Sequence, residues 1–462
     1  MITDQLPRIA AATGLLAAWA LLCLRTWQVA RGSSVDAPPE RAAARARSAS
    51  PVLITFASQS GFARDLASEA MLALRAGGVE CELAALGEVD ATCLRRADRA
   101  IFIASTCREG DAPDNATAFV EDVMSARPDL RGLRHAVLAL GDRGYARFCA
   151  FGRELDAWLG DCGAQPLFAR VELDGADSDV LQTWRHRLAQ LTDAAALPGS
   201  LATVNGWWRI RARHHLNPGS AGAPAFHIEL EAVAGPAAQA ARLPTPAWQS
   251  GDLLQLLPPG GDDRPRSYSV ASLPADGAVH LLVRTAYDAH GRPGLMSALL
   301  CGDAPVGSVL RGRLRAHHNF RLGDNAARPL ILIASGTGLA GLLAHLRHRA
   351  RCGDGRNWLL FGERSAVHDA FHVDETRSLE KLRLLERIDR VYSRDDPREY
   401  VQHRLAQQAC AVRKWVADGA AIYVCGNAVG MGPAVHQALG QILGHELLAR
   451  LTRDGRYRRD LY

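Results

Sequence analysis

No two of the ten cysteines form a Cys-x-x-Cys pair, and no spacing among them is one that grips zinc. That argues against a disulfide framework and a cysteine-built metal site, and no metal is expected. Scattered thiols of this kind suit a reducing compartment, where most act as small buried hydrophobes. Extremes of composition are missing too. Apolar residues make up 48% of the chain and charged ones 22%, the proportions of an ordinary globular protein. A length of 462 residues leaves room for two or three domains, each with its own core.

The net charge of +5 conceals a division. Residues 51–195 carry −7 and residues 196–462 carry +9. An acidic part joined to a basic one predicts mutual docking, and the basic part suits an anionic ligand. No nucleic-acid partner is expected.

Residues 1–24 contain a run without charge, Ile9–Leu24, rich in Leu and Ala with Trp19 inside it. The run is near the short limit for a membrane-spanning helix. Five arginines follow it in residues 25–50, which otherwise read as a flexible tether of Ala, Pro and Ser. By the positive-inside rule this predicts a single-pass anchor in the inner membrane with everything after it facing the cytoplasm. A cleaved signal peptide is the alternative.

In residues 51–195, Val52–Ala57 reads as a buried strand. It runs into Ser58-Gln59-Ser60-Gly61-Phe62-Ala63 and then a helical pattern. A hydroxyl-rich turn at a helix N-terminus makes an anion site, although such turns also serve as plain helix caps. Two further strands end in similar loops. One reads Ser105-Thr106-Cys107-Arg108-Glu109-Gly110, the other Leu140-Gly141-Asp142-Arg143-Gly144-Tyr145 and on to Phe148. Strands alternating with helices give a doubly wound parallel sheet, which binds ligands at the carboxyl ends of its strands.

These loops resemble the flavodoxin-like FMN domain of NADPH-dependent diflavin reductases, and the likeness continues to Asp174. The resemblance implies that residues 58–63 hold the FMN phosphate. It implies that Ser105, Thr106, Gly110, Leu140, Gly141, Tyr145, Phe148 and Asp174 complete the site, with Tyr145 stacked on the flavin. Cys107-Arg108 stands where the family has Tyr-Gly, so one stacking aromatic is missing.

Residues 200–326 show short strands between Gly/Pro turns, the pattern of an antiparallel β-barrel. Within it lie Arg266-Ser267-Tyr268-Ser269 and Gly294-Leu295-Met296-Ser297, the first able to hold a pyrophosphate and a flat ring, the second opening a helix. Residues 327–462 return to strand–helix alternation. Pro329–Ala334 feeds Ser335-Gly336-Thr337-Gly338, the place for a dinucleotide pyrophosphate in a Rossmann-like domain. After the strand ending at Tyr392 come Ser393, Arg394, Arg398, Tyr400 and Gln402, a set suited to the 2′-phosphate of NADPH. Then follow Cys425-Gly426-Asn427 and a terminal Arg456-Tyr457-Arg458-Arg459-Asp460-Leu461-Tyr462.

In order, these motifs resemble the ferredoxin–NADP reductase-like half of the same family, and the terminus is similar to that of bacterial sulfite reductase flavoprotein subunits. The resemblance implies an α/β protein with three parts and three cofactors, FMN, FAD and NADPH. Arg266, Tyr268, Ser269, Gly294, Leu295, Met296, Ser297 and Tyr462 would hold FAD. Gly336, Thr337, Gly338, Ser393, Arg394, Arg398, Tyr400, Gln402, Cys425, Gly426 and Asn427 would hold NADPH. Ser269, Cys425, Asp460 and Tyr462 would be catalytic. The implied activity is hydride transfer from NADPH to FAD, then single electrons through FMN to a haem-containing redox protein. The alternative is a reductase with FAD alone, whose flavodoxin-like part has become a docking module. Gly341 replaces a family proline and Asn427 a family aspartate. Too few residues separate Leu230 from Arg266 for the helical connecting domain that larger members insert.

Overall fold

The computed structural model describes residues 50–462, except 60, 108–109, 144–146, 176, 193–205, 238, 261–264 and 289. Three sheets follow one another along the chain. The first contains β1 (Val52–Ala57), β2 (Cys81–Ala85), β3 (Arg99–Ser105), β4 (Arg134–Gly141), β5 (Gln165–Pro166) and β6 (Val171–Asp174). All its pairings are parallel, in the order β2-β1-β3-β4-β5, with β6 also beside β4. This is the flavodoxin-like order. Side chains alternate across a strand, so each strand serves two cores. Ile54, Ile101 and Leu138 pack under the helix Phe62–Ala76 with Leu66 and Leu74. Leu53, Phe102 and Val137 face Phe151, Leu155 and Trp158 of the helix Ala150–Asp161. Burial on both faces explains why β1 reads as a continuous apolar run.

The second sheet is antiparallel: β7 (Gly206–His215), β8 (Ala225–Val233), β9 (Leu253–Leu257), β10 (Arg266–Ser269), β11 (Val279–Arg284) and β12 (Val309–Arg315), ordered β10-β9-β12-β7-β8-β11. A bridge from Val270, just past β10, to Leu281 on β11 joins the two edges and closes the sheet on itself. Among the described residues no helix lies between β8 and β9.

The third sheet is parallel, in the order β15-β14-β13-β16-β17, from β13 (Leu330–Ser335), β14 (Asn357–Glu363), β15 (Arg387–Tyr392), β16 (Ala421–Gly426) and β17 (Tyr457–Leu461). Leu332 and Tyr423 face the helix Leu339–Cys352, while Ile333 and Val424 face Val401, Val435 and Leu448 on the other side. The last strand pairs Cys425 with Asp460.

The expected membrane helix requires correction. No helix among the described residues is long and apolar enough to cross a membrane. The longest, Phe62–Ala76, has 15 residues and is amphipathic, its apolar stripe spent on the sheet. A helix of that length spans about 22 Å, against the ~30 Å of a bilayer core. The run Ile9–Leu24 and the tether after it lie outside the described residues. Among the described residues the fold class is therefore α/β without a transmembrane element, and the inner-membrane assignment is withdrawn.

Candidate functional site

The loops at the carboxyl ends of β1, β3 and β4 converge. Gly61 turns the chain with φ of 91°, a left-handed conformation glycine adopts without strain. A Cβ there would stand 3.2 Å from the Ala316 carbonyl, so the second half of the molecule packs directly on this loop. Thr106 donates its backbone N–H to the Leu140 carbonyl at 2.9 Å, tying the second loop to the third. Gly141 abuts Phe148 and Cys149, and Asp174 accepts the Arg143 N–H at 3.1 Å. Phe148 lies beneath the guanidinium of Arg143 at 5.1 Å. Ser105, Gly110 and Leu140 line up at the same strand ends. Ser60 and Tyr145 lie outside the described residues.

Three buried polar atoms on or against the first two loops have no hydrogen-bond partner: Ser58 Oγ, Thr106 Oγ1 and an Arg315 terminal nitrogen. The Arg315 nitrogen is 3.5 Å from where a Gly61 Cβ would stand. Two hydroxyls and a guanidinium at the start of a 15-residue helix are a donor set that fits a phosphate.

The second cluster gathers residues far apart in sequence. The Ser269 hydroxyl, at the end of β10, donates to Asp460 Oδ2 at 2.7 Å, and the Cys425 thiol reaches the same oxygen at 3.7 Å. Burial, reinforced by the charge of Asp460, pushes the Cys425 thiol well above its ordinary range, so it stays protonated. Tyr268 is half-buried, and burial raises its phenol as well. Arg266 is exposed beside it. The Ser297 hydroxyl is committed to backbone: it donates to the Gly294 carbonyl at 2.9 Å and accepts the Ala286 N–H at 3.1 Å. Met296 is buried in the barrel core and Leu295 is exposed.

A cavity of about 530 Å³ opens at the carboxyl end of the third sheet, within the usual range for small-molecule sites. Gly336, Thr337, Ser393, Tyr400, Gln402, Asn427 and Tyr462 line it, as do Arg284, Glu363 and Arg364, which the sequence did not single out. Gly338 has no room for a side chain, since a Cβ would stand 2.2 Å from the Cys425 carbonyl oxygen. That contact brings the glycine turn against Cys425-Gly426. Tyr462 is half exposed, and its hydroxyl meets Thr337 at 3.1 Å. Asn427 accepts the N–H groups of Val429 and Gly430 at 2.8 Å each, a turn that leads into the helix Met431–Leu443. An aspartate could accept in the same way, so the departure at 427 costs no hydrogen bond. Arg394, next to Ser393 in the chain, and Arg398 are exposed and are not among the residues that line the cavity; neither enters an ion pair among the described residues.

Residues 54–186 match the family model described as flavodoxin, and residues 332–437 match that described as oxidoreductase NAD-binding domain. Curated relatives align over almost the whole chain. The sulfite reductase (NADPH) flavoprotein alpha-component of Vibrio cholerae serotype O1 is 28% identical over 94% of this chain and 92% of its own length. Its namesake from Sodalis glossinidius is 28% identical over 99% and 98%, and that from Bacillus subtilis 25% over 89% of each. Over nearly its whole length the chain is similar to the NADPH-dependent diflavin reductases.

The cofactors of this reductase are FMN on its flavodoxin domain and FAD and NADPH on the remainder. The alignment with the Vibrio cholerae protein runs to 563 positions against 462 residues here, so that relative carries segments with no counterpart in this chain. In keeping with this, no helix lies between β8 and β9 among the described residues of the reductase.

Sequence reasoning missed the residues that join the two halves of the reductase. Arg459, beside Asp460, forms a buried ion pair with Asp114 of the flavodoxin domain. The Gln59 amide donates to Asp114 at 2.9 Å and to the Arg459 carbonyl at 3.0 Å. Asn319 donates to the Ser58 carbonyl at 2.5 Å, and the His317 ring donates to the Gln59 carbonyl at 3.0 Å. The other nitrogen of His317 is 4.0 Å from Asp460. The loop after β1 is thus one side chain, that of His317, from Asp460. Only the opposite charges of the two halves gave any sign of this contact.

Proposed function

We propose that this chain draws electrons from NADPH and delivers them singly to a haem-containing redox protein. The relatives' name points to the haem subunit of sulfite reductase. In this reading residues 51–195 carry FMN, 200–326 carry FAD and 327–462 carry NADPH. The observation that carries it is the Ser269–Asp460–Cys425 contact, two residues in the chain from Tyr462, which lines the cavity at the end of the third sheet. When bound, NADPH supplies a hydride, and the paired flavins divide two electrons into single deliveries.

The chain's own residues position and shield. Asp460 holds a negative charge where positive charge develops on the nicotinamide, fixed in place by the Ser269 hydroxyl. Cys425, kept as a thiol, would pack beside the reacting carbon of a bound nicotinamide. Tyr462 would cover the face of a bound flavin and would have to move aside to admit nicotinamide. Arg394 and Arg398 select the 2′-phosphate. The orphaned hydroxyls of Ser58 and Thr106 support retention of FMN over the reading of a flavin-free docking module.

The test is Asp460→Asn, which keeps the shape and removes the charge. The expected result is about a 10²-fold fall in the rate of NADPH-driven flavin reduction, with equal FMN and FAD released on denaturation. An unchanged rate removes Asp460 from the mechanism. Absence of FMN favours the single-flavin reading. Electron transfer to purified sulfite reductase haemoprotein, set against other haem acceptors, tests the partner.

A further inference from the structure

Away from the flavin loops, one face of the barrel gathers imidazoles. His227 and Glu229 are two residues apart on β8, so both point to the same side. On the neighbouring strand β11, His280 stands directly opposite Glu229. One ligand atom from each of the three lies within 4.8 Å of the other two. His280 Nδ1 is buried with no hydrogen-bond partner. His227 Nδ1 is 3.2 Å from His372 Nε2, which leaves His227 Nε2 as its free nitrogen. His372 in turn contacts the Glu375 carboxylate at 2.9 Å through Nδ1.

We propose that His227, Glu229 and His280 form a binding site for a divalent transition-metal ion of the zinc type, with His372 and Glu375 as the supporting shell behind His227. Two imidazoles and a carboxylate make a borderline N/O donor set and leave a fourth position for water. A ligating histidine whose other nitrogen is held by a carboxylate-backed partner is the usual arrangement around such ions.

The electrostatics agree. Burial, with lesser contributions from His372 and His280, pulls His227 down to about 3, and burial lowers His280 as well. Both rings are therefore neutral near pH 7, the form that binds metal. Arg347, a further cation on this side of the barrel, is neutralised by Glu375 through two contacts of 2.6 and 2.8 Å. Arg211 approaches one oxygen of Glu229 at 3.6 Å and leaves the other available. His372 begins the helix Val373–Lys381 next to the third sheet, so an ion here would stiffen the seam between the barrel and the nucleotide-binding half.

The experiment uses the untagged, flavin-loaded protein after chelator dialysis, titrated with Zn²⁺ by calorimetry and with Co²⁺ by absorbance to the red of the flavin bands. One equivalent should bind, and Co²⁺ should show the d–d bands of a tetrahedral nitrogen/oxygen site. His227→Gln and His280→Gln should each weaken binding at least tenfold, with flavin content and dye reduction unchanged. Cys352→Ser should change nothing, although Cys352 and His348 are a competing pair at 3.9 Å. If a histidine variant loses flavin, Glu229→Gln gives the same readout. No bound equivalent, wild-type affinity in the variants that keep their flavin, or loss of binding in Cys352→Ser overturns the proposal.

Discussion

Asp114→Asn is the most informative single change at the contact between the two halves. Arg459 is 8% exposed, so the substitution leaves a buried guanidinium opposite a neutral amide. Breaking a buried pair by removing one partner costs about 3–5 kcal/mol when the remaining charge cannot escape. Here it can escape, because separating the halves would return Arg459 to water. The loss is therefore capped by the docking free energy. The other contacts among the described residues include a few hydrogen bonds from His317, Asn319 and Gln59, an Arg315–Asp65 pair at 3.1 Å, the Arg315 guanidinium over the Phe62 ring and an exposed Arg453–Glu121 pair at 3.5 Å. Exposed pairs contribute at most about 1 kcal/mol. A destabilisation of the docked form by about 2–3 kcal/mol follows, or roughly 30- to 150-fold in the docking equilibrium. Small-angle scattering should show a larger radius of gyration, and stopped-flow absorbance should show slower electron passage between flavins with unchanged hydride transfer. The double variant Asp114→Asn/Arg459→Gln should lose less than the sum of the singles by at least about 1 kcal/mol. Unchanged scattering together with additive singles would refute the assignment of this pair as the main lock.

Three further outcomes are expected. Arg394→Ala should raise the KM for NADPH by about 1.5–2 kcal/mol, some tenfold or more, with little change for NADH; equal effects on both cofactors rule out a 2′-phosphate role. Tyr462→Ala should raise the NADH/NADPH activity ratio, since aromatic stacking of roughly 0.5–1.5 kcal/mol no longer has to be displaced; an unchanged ratio and flavin spectrum mean the ring does not cover the flavin. His345 is fully buried, and burial lowers it to about 3 from an unfolded value near 6.5. The unfolded chain therefore binds this proton first, and stability falls as pH drops from about 6.5 towards 3. His345→Leu should flatten that limb in acid unfolding curves, and an unaltered slope assigns the acid sensitivity elsewhere.

Local order was legible in the sequence. The apolar runs at residues 52–57, 330–335 and 421–426 are strands buried on both faces, and each is followed by the small or hydroxylated residues that a strand-to-helix turn requires. Those signals are written in neighbouring residues, because a turn needs glycine and a buried strand needs β-branched side chains at that very place. The N-terminal apolar run misled for the same reason: local hydropathy was the whole argument for the membrane. What no window of sequence could carry is pairing and register. Asp460 meets Cys425 because β17 adds to the sheet edge in one register, and a slip of one residue would turn its carboxylate to the other face. Ser269, 191 positions away, joins them only when the barrel edge docks there. The Asp114–Arg459 pair and the His227–Glu229–His280 group likewise exist only through packing of separate elements. Periodicity tells which face a residue occupies within its own element. Which elements that face meets depends on burial and shape summed over the whole molecule, and that the tertiary structure alone decided.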